Sequence, residues 1–465
     1  MPIEARMKPS RHFRQYEHGV SSSPWHGVCQ GKRTIMSRLK RAALIVIVLL
    51  VAAFTLIGFI AVTRGTPISY VVTLADSGPP SVGDSLFERT FELFTGAHIS
   101  PGNRVLPVNN GTVYDSLWAD LRRAQRTITV QMYYSLPGAV ADTMAAILRE
   151  RARAKVRVLF LIDAFGSQHL SKRYLQGLRD AGVEVARFRR LTWSTIADAT
   201  TRSHVRVVVV DGQVGYTGGF GLADYWLGGG HRDDEWRESN VRFEGPSVMQ
   251  LQAAFSAAWA EATGELITGP LFFPPNGFEP AGTMDAGLLY TAPTTGSTPA
   301  ERFLAITIAG ARRTLYVTNS YFVPDTDFRG LLIRAAKRGI DVRILTVSAK
   351  TDVKTTRFAG RHHYDELLQG GVRIYEYQPA MLHSKTLVAD GLFSAVGSMN
   401  FDNRSVAFNN ESQLVVLDST FGRQMDSTFF DDLRYSREIT LEEFRQRSIW
   451  QRFLERGAAV ISRLL

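Results

Sequence analysis

The same spaced set of polar residues occurs twice in this chain, and few folds accommodate such a duplication. The first copy is His204-Val205-Arg206, then Asp211, then Gly218-Gly219. The second is His383-Ser384-Lys385, then Asp390, then Gly397-Ser398 and Asn400. In each copy seven residues lead from His to Asp and seven from Asp to the first glycine, and the histidines stand 179 residues apart, about one domain length. The flanks repeat as well. Residues 126–134 (RTITVQMYY) are echoed by 313–322 (RTLYVTNSYF), 148–162 by 333–347, and 182–188 by 371–377. Alternation predicts strands at 126–134, 183–188 and 207–210, helical spacing covers 142–154, and 156–162 reads as a buried strand. A repeat of this length predicts two pseudo-symmetric α/β halves. On a strand His383 and Lys385 project from the same face, as do His204 and Arg206. A paired imidazole and cation in each half suit an anionic, reactive substrate.

Composition narrows the partners. With 45% hydrophobic and 21% charged residues the chain is globular in character. A net charge of +10 favours an anionic partner, whether phosphate, acidic lipid or nucleic acid. Cys29 is the only cysteine, which excludes an intrachain disulfide and a cysteine metal cage. There is no phosphate-binding Walker loop, dinucleotide fingerprint or zinc spacing, so no metal or cofactor is expected. His362-His363 with Asp365 and Glu366 do not converge on a metal and read as a solvated helix face.

Residues 1–35 are polar and read as a disordered tail, and the pattern from Met36 suggests an alternative start. Residues 42–62 are apolar without a charge, and as a helix they span about 30 Å, a bilayer core. Lys32, Arg33, Arg38, Lys40 and Arg41 crowd the N-terminal side, and only Arg64 lies just beyond. The positive-inside rule predicts a cytoplasmic N-terminus, a single pass through the cytoplasmic (inner) membrane and an outward-facing remainder.

The duplicated pattern resembles that of the phospholipase D superfamily, His-x-Lys-x4-Asp-x6-Gly-Gly/Ser-x-Asn, over residues 104–465. Residues 321–325 (YFVPD), 382–385 (LHSK), 397–405 (GSMNFDNRS) and 236–245 (WRESNVRFEG) are similar to the bacterial cardiolipin synthase branch. The resemblance implies an α/β fold of two pseudo-symmetric phospholipase D-like lobes, each a mixed sheet flanked by helices, with the active site at their interface. The expected order is a basic disordered cytoplasmic tail at 1–41, a transmembrane helix at 42–62, a linker at 63–103, lobe 1 at 104–270, an inter-lobe linker at 271–286, lobe 2 at 287–437 and an amphipathic helix at 438–465.

By the same resemblance the chain is a phosphatidyltransferase. It would move a phosphatidyl group from a phosphatidylglycerol-like lipid to an alcohol, through a phosphohistidine and without a metal. A hydrolase of phospholipid or nucleic acid, and an impaired phosphodiester-binding protein, are the alternatives; no protein partner is indicated. The implied catalytic set is His204, Arg206, Asp211, His383, Lys385 and Asp390, with Arg206, Lys385, Asn400 and Ser398 on the substrate phosphate. His204 is assigned as nucleophile and His383 as general acid by analogy, and the sequence itself leaves the reverse open. Chemically, Asp211 and Asp390 suit anchors for the turn that follows each strand. Glu238 and Glu411, 34 and 28 residues beyond their motif histidines, are candidates for orienting them, although exposed strand carboxylates would read the same way. Two departures stand out: Arg206 replaces the usual Lys, and Gly221 the usual Asn. Arg keeps the charge but is bulkier and planar, and Gly removes a donor. Residues 228–235 read as a mobile loop or lid, with Tyr225, Trp226 and Trp236 offering apolar contact. At the C-terminus, Thr440 and Glu443 suggest a capping box. Beyond it, Trp450, Phe453, Leu454, Gly457, Ala458 and Ile461 share a helical face, while Arg445, Arg447, Arg452, Arg456 and Arg463 lie mostly elsewhere. That face is expected to pack on the domain rather than to touch lipid.

Overall fold

A computed structural model of the chain describes residues 25–62, 68–72, 79–189, 201–294 and 296–460. It divides into a unit at Met1–Ala61 and a unit at Val62–Leu465. The first holds helix α1 (Trp25–Val62), whose Leu39–Leu56 window has a mean hydropathy of 2.3 and no buried side chain. The helix begins within the expected disordered tail. Gln, Lys, Arg and Met are good helix formers, and a helix nucleated by the apolar run propagates into them. Residues 1–24 lie outside the described residues.

In the second unit, the first half of the repeat supplies β1 (Ser100–Asn109), β2 (Thr127–Met132), β3 (Arg157–Asp163), β4 (Glu184–Phe188), β5 (Val207–Val210), β6 (Val214–Gly218), the short β7 (Trp236–Arg237) and β8 (Ser239–Glu244). The second supplies β9 (Met284–Thr291), β10 (Thr314–Asn319), β11 (Asp341–Val347), β12 (Arg373–Tyr377), the short β13 (Met381–Leu382), β14 (Lys385–Ala389), β15 (Phe393–Gly397), β16 (Glu411–Leu417) and β17 (Ser436–Ile439). The helices are α2 (Ser85–Thr95), α3 (Thr112–Arg123), α4 (Ala139–Arg153), α5 (Lys172–Arg179), α6 (Ser247–Thr263), α7 (Pro299–Gly310), α8 (Thr326–Lys337), α9 (Lys354–His362), α10 (Tyr364–Gln369), α11 (Asn403–Ala407), α12 (Ser419–Leu433), α13 (Leu441–Arg445) and α14 (Ile449–Val460).

Fifteen strands form one sheet in the order β17-β12-β11-β10-β14-β15-β16-β9-β1-β8-β6-β5-β2-β3-β4. Read outward from the β9–β1 contact, the two sides have the same order, β1-β8-β6-β5-β2-β3-β4 against β9-β16-β15-β14-β10-β11-β12, with β17 added at one edge. The duplication is therefore a symmetry of the sheet, and the halves share it instead of owning separate sheets. The β1–β9 seam is slight, pairing Ser100 with Ala286 and Asn103 with Met284 around an irregularity. The four valines of β5 alternate between two cores. Val208 and Val210 face the α3–α4 side, whereas Val207 and Val209 join Val388, Val396, Leu414 and Val416 of the other half. That shared core clamps the halves and fixes the strand ends that carry the two motifs.

The segment expected as a linker over 63–103 contains α2 and the start of β1. Asp84 caps α2 by accepting from Leu86 N at 2.8 Å, and Gly96 ends it at φ 73°. Phe87 and Phe91 are buried against Phe303 and Phe393 of the second half, worth about 1.5–3 kcal/mol each. The expected inter-lobe linker likewise ends inside β9, which starts at Met284.

In place of one helix over 438–465 there are the end of β17, then α13 and α14. Thr440 caps α13, accepting from Glu443 N at 3.3 Å. On α14 the aromatic stripe points outward, against expectation: Trp450 and Phe453 are 71% and 65% exposed, while Ala458 and Glu455 face the domain. Glu455 is drawn inward by Arg361 and Arg447 at 3.2 and 2.7 Å. Ile461 and Arg463 lie outside the described residues.

Candidate functional site

Each motif histidine is set in place by the opposite half. His204 N donates to Asn410 O at 2.9 Å, and Asn410 N returns a bond to Arg202 O at 2.9 Å. Symmetrically, β13 pairs in parallel with β7, and His383 N donates to Arg237 O at 2.7 Å. The residue after each of these partners is a glutamate.

The glutamates consequently serve the other half's histidine. His204 Nδ1 lies 2.9 Å from Glu411 Oε2, and His383 Nδ1 lies 2.5 Å from Glu238 Oε2. Sequence order associates Glu238 with His204 and Glu411 with His383, and the structure exchanges them. Both carboxylates are fully buried, so neither is an exposed strand carboxylate. With Nδ1 held by a carboxylate, Nε2 is the ring nitrogen of each histidine without a hydrogen-bond partner among the described residues, and both rings line the cavity.

The two pairs differ electrostatically. Burial, followed by Arg206, pushes the His204 pKa down to about 4, against the opposing pull of Glu411. Burial lowers His383 as well, with Lys385 and Arg206 adding to it. Burial lifts Glu238 to about 7, opposed by Lys385 and Arg206. At Glu411 burial is outweighed by the contact with His204 and by hydrogen bonds from His204 and Ser398, and its carboxyl stays below its ordinary value. Lys385 is brought down to about 7, chiefly by burial. Of the two carboxylates, Glu238 is lifted toward neutrality while Glu411 stays low.

The cations mirror each other. The Arg206 guanidinium and the Lys385 ammonium each fold back onto the backbone carbonyl of their own motif histidine. Arg206 also donates Nε–H to Phe220 O at 3.2 Å and lies 5.5 Å from the Tyr133 ring centroid. A cavity of about 310 Å³ opens over His204, Arg206, His383 and Asn400, walled by Tyr133, Tyr134, Trp226, Trp236 and Tyr321, with Asp352 and Arg404 at its side.

The Gly221 departure has a steric cause. A Cβ there would lie 2.7 Å from the Trp226 ring and 2.7 Å from Tyr134 O. Trp226 occupies that space and donates Nε1–H to Glu238 at 3.2 Å. The indole thus fills the space that a side chain at position 221 would need. Gly219 shows the same logic, since its Cβ would fall 2.4 Å from the Glu238 carboxylate.

Six residues of the expected set do not line the cavity: Glu238 and Glu411, which hold the histidines, Lys385, whose ammonium folds onto His383 O, and Asp211, Asp390 and Ser398. Asp211 accepts from the backbone N–H groups of Gln125, Arg126 and Thr127, and Asp390 from those of Arg312, Arg313 and Thr314. Both sit at positive φ, 55° and 57°. They tie the turn to the neighbouring strand, five residues and so about 17 Å along the chain from the cation, which fits the turn-anchoring reading and not a catalytic one. Ser398 Oγ donates to Glu411 at 2.5 Å, which engages its hydroxyl proton with the carboxylate.

The loop after Gly228 is also tied down. Glu235 accepts from the N–H groups of Gly229, Gly230 and His231, and Asp233 pairs with Lys350 of the other half. Asp365 and Glu366 pair with Arg445 and Arg329. Tyr133, Tyr321, Asp352 and Arg404 were not legible as site residues. Tyr134 and Tyr321 occupy equivalent places eight residues after Arg126 and Arg313, a signal the repeat carries. Tyr321 OH bonds to Asp352 at 2.8 Å.

The family model described as "Cardiolipin synthase, PLD-like domain" matches residues 117–259 and 304–433. A cardiolipin synthase of Geobacillus kaustophilus is 32% identical over 373 residues, 80% of this chain and 74% of the relative. Cardiolipin synthase A of Pseudomonas putida is 31% identical over 397 residues, 83% and 82% of the two chains. Among solved structures, phosphatidylserine synthase of Haemophilus influenzae has a similar fold, with a TM-score of 0.62 at 12% identity over 82% of this chain and 100% of that one.

Proposed function

This chain belongs to the cardiolipin synthase family of phospholipase D-like phosphatidyltransferases, and we propose that it moves a phosphatidyl group from a phosphatidylglycerol-like lipid to an alcohol acceptor through a phosphohistidine. The observation that carries the mechanism is the crossed arrangement of His204–Glu411 and His383–Glu238 across one cavity.

His204, neutral and with Nδ1–H held by Glu411, has Nε2 free to attack phosphorus. The P–O bond to the leaving alcohol breaks as the P–N bond forms, and His383 gives that alcohol its proton. His383 then takes a proton from the incoming hydroxyl. The new P–O bond forms, the P–N bond breaks, and the neutral His204 is restored. Arg206 and Lys385 supply positive charge from opposite sides while the phosphoryl oxygens carry their greatest negative charge. The roles of His204 as nucleophile and His383 as acid follow the family resemblance. The two halves work as one catalytic unit, since neither histidine is oriented by its own half.

The apolar span of α1 supports a membrane anchor, and the basic residues ahead of it support a cytoplasmic N-terminus with the catalytic unit on the outer side. A reporter fused at the C-terminus and assayed on both sides of the membrane reads that orientation. The reaction itself is tested by giving purified full-length protein phosphatidylglycerol with a panel of alcohols, and single-stranded DNA separately, and identifying products by mass spectrometry. Transfer product from lipid, absent in His204→Ala, is expected. Product from DNA alone would overturn the lipid reading.

A further inference from the structure

We propose that α14 is a docking surface for an anionic lipid bilayer, holding the catalytic unit against the membrane from which it draws substrate. The choice of lipid rests in part on the phosphatidyltransferase reading.

The helix turns its apolar side outward. Ile449, Trp450, Phe453 and Val460 are 82%, 71%, 65% and 80% exposed. This stripe is not a seam awaiting its own domain, because the opposite side of α14 already makes that contact. Ala458 and Glu455 are buried, and Glu455 bridges Arg361 and Arg447. Arg361 in turn pairs with Glu376, so the seam is a buried ionic network that fixes which side faces out. On the flank of the stripe, Arg452 and Arg456 edge a basic recess with Arg445 and His362. Arg445 is paired with Asp365, and among the described residues the Arg452 side chain donates to a backbone carbonyl and makes no ion pair. Arg456 makes no ion pair among the described residues.

An apolar aromatic stripe bordered by unpaired arginines matches an acidic membrane surface. The rings enter the boundary of the acyl chains, and the guanidinium groups stay level with the phosphates. A second copy fits less well. The exposed side of one twelve-residue helix falls short of the roughly 800 Å² per partner of a stable interface, and a two-fold contact would set arginine against arginine. Location supports the membrane as well. α14 packs on α9, and the opposite end of α9 supplies Val353 and Thr356 to the wall of the reaction cavity, only about 13 Å away along that helix.

The test uses the full chain reconstituted in vesicles. In a Cys29→Ser background, an environment-sensitive fluorophore is placed at Phe453→Cys or, as a reference, at Phe278→Cys, an exposed phenylalanine in the segment between α6 and β9. Vesicles carry acyl chains brominated near the head group, with or without phosphatidylglycerol. Quenching at position 453 at least twice that at 278 is expected with phosphatidylglycerol, falling to the reference level in Arg452→Glu/Arg456→Glu. Equal quenching at the two positions in acidic vesicles would overturn the proposal. The measurement needs no catalysis, so repeating it in His204→Ala separates failure of docking from failure of the transfer reading.

Discussion

Glu411 of the second half lies 2.9 Å from His204 Nδ1 of the first, while Glu238 of the first half holds His383 of the second. Each half thus supplies a histidine and the carboxylate that orients the opposite histidine. The exchange makes the two carboxylates separable by experiment. In Glu411→Gln the charge that fixes the Nδ1–H tautomer of His204 is lost and the amide NH2 can turn the ring to the other tautomer, so formation of the phosphoenzyme should slow by about 10²–10⁴-fold. In Glu238→Gln, proton delivery by His383 is impaired instead. A substrate with an activated leaving group, which needs no proton, should restore phosphoenzyme formation in Glu238→Gln but not in Glu411→Gln. Rapid-quench measurement of bound phosphorus distinguishes them, and equal rescue of both variants would show that the carboxylates are not divided in this way.

The pH dependence follows from the same pairs. His204 needs its proton off, and its pKa is brought down to about 4, so the acid limb of kcat/KM should lie well below 6.5. The alkaline limb should fall near 7, where Glu238 and Lys385 titrate. For stability, unfolded His204 takes up a proton near 6.5 that the folded side chain refuses until about 4. Its contribution is complete above 6.5 and is lost as pH falls toward 4. Glu238 acts in the opposite sense, complete below 4.5 and lost as pH rises through about 7. Urea titrations of wild type and His204→Gln should show a stability difference that rises in favour of wild type from pH 4 to 6.5. A flat difference would remove the low pKa.

Restoring the missing asparagine should harm the protein. Gly221→Asn drives a side chain into Trp226 and Tyr134 O, both 2.7 Å from the new Cβ, and overpacking of this kind costs about 1–3 kcal/mol. Activity should fall with stability, read by thermal denaturation. A more active single variant would mean that the glycine is a defect and not a fit.

Asp211→Ala and Asp390→Ala should weaken the fold while sparing the chemistry. Each variant strands three backbone N–H groups and leaves alanine at positive φ, for a loss of about 1–3 kcal/mol. The kcat per folded molecule should stay within about twofold of wild type, measured well below the melting temperature. A hundredfold loss of kcat in a folded variant would return these residues to the reaction.

Much of this architecture is readable from the chain because the duplication is local in sequence. Residues 126–134 and 313–322 announce β2 and β10, and the His-x-Arg and His-x-Lys steps announce β5 and β14. What escapes is pairing over distance. Nothing in the spacing of Glu411 tells that Asn410 binds His204 from 206 residues away. An apolar stripe tells that a helix is amphipathic but not which side meets the domain, and on α14 the buried Glu455 reverses the usual answer. Helix α2 is hidden between Gly-Pro-Pro and Gly because its two phenylalanines gain their meaning only against Phe303 and Phe393. Gly221 reads as a lost donor until the Trp226 ring is seen in its place.

The central claim is that His204 carries the phosphatidyl group while His383 moves the proton. It is tested most directly by trapping the intermediate in His383→Ala with an activated phosphodiester and mapping the modified residue by mass spectrometry under alkaline conditions that preserve phosphohistidine. Phosphorus on His204, accumulating to near one per chain and absent in His204→Ala, is the predicted result. Phosphorus on any other residue, or turnover that survives loss of both histidines, would contradict it.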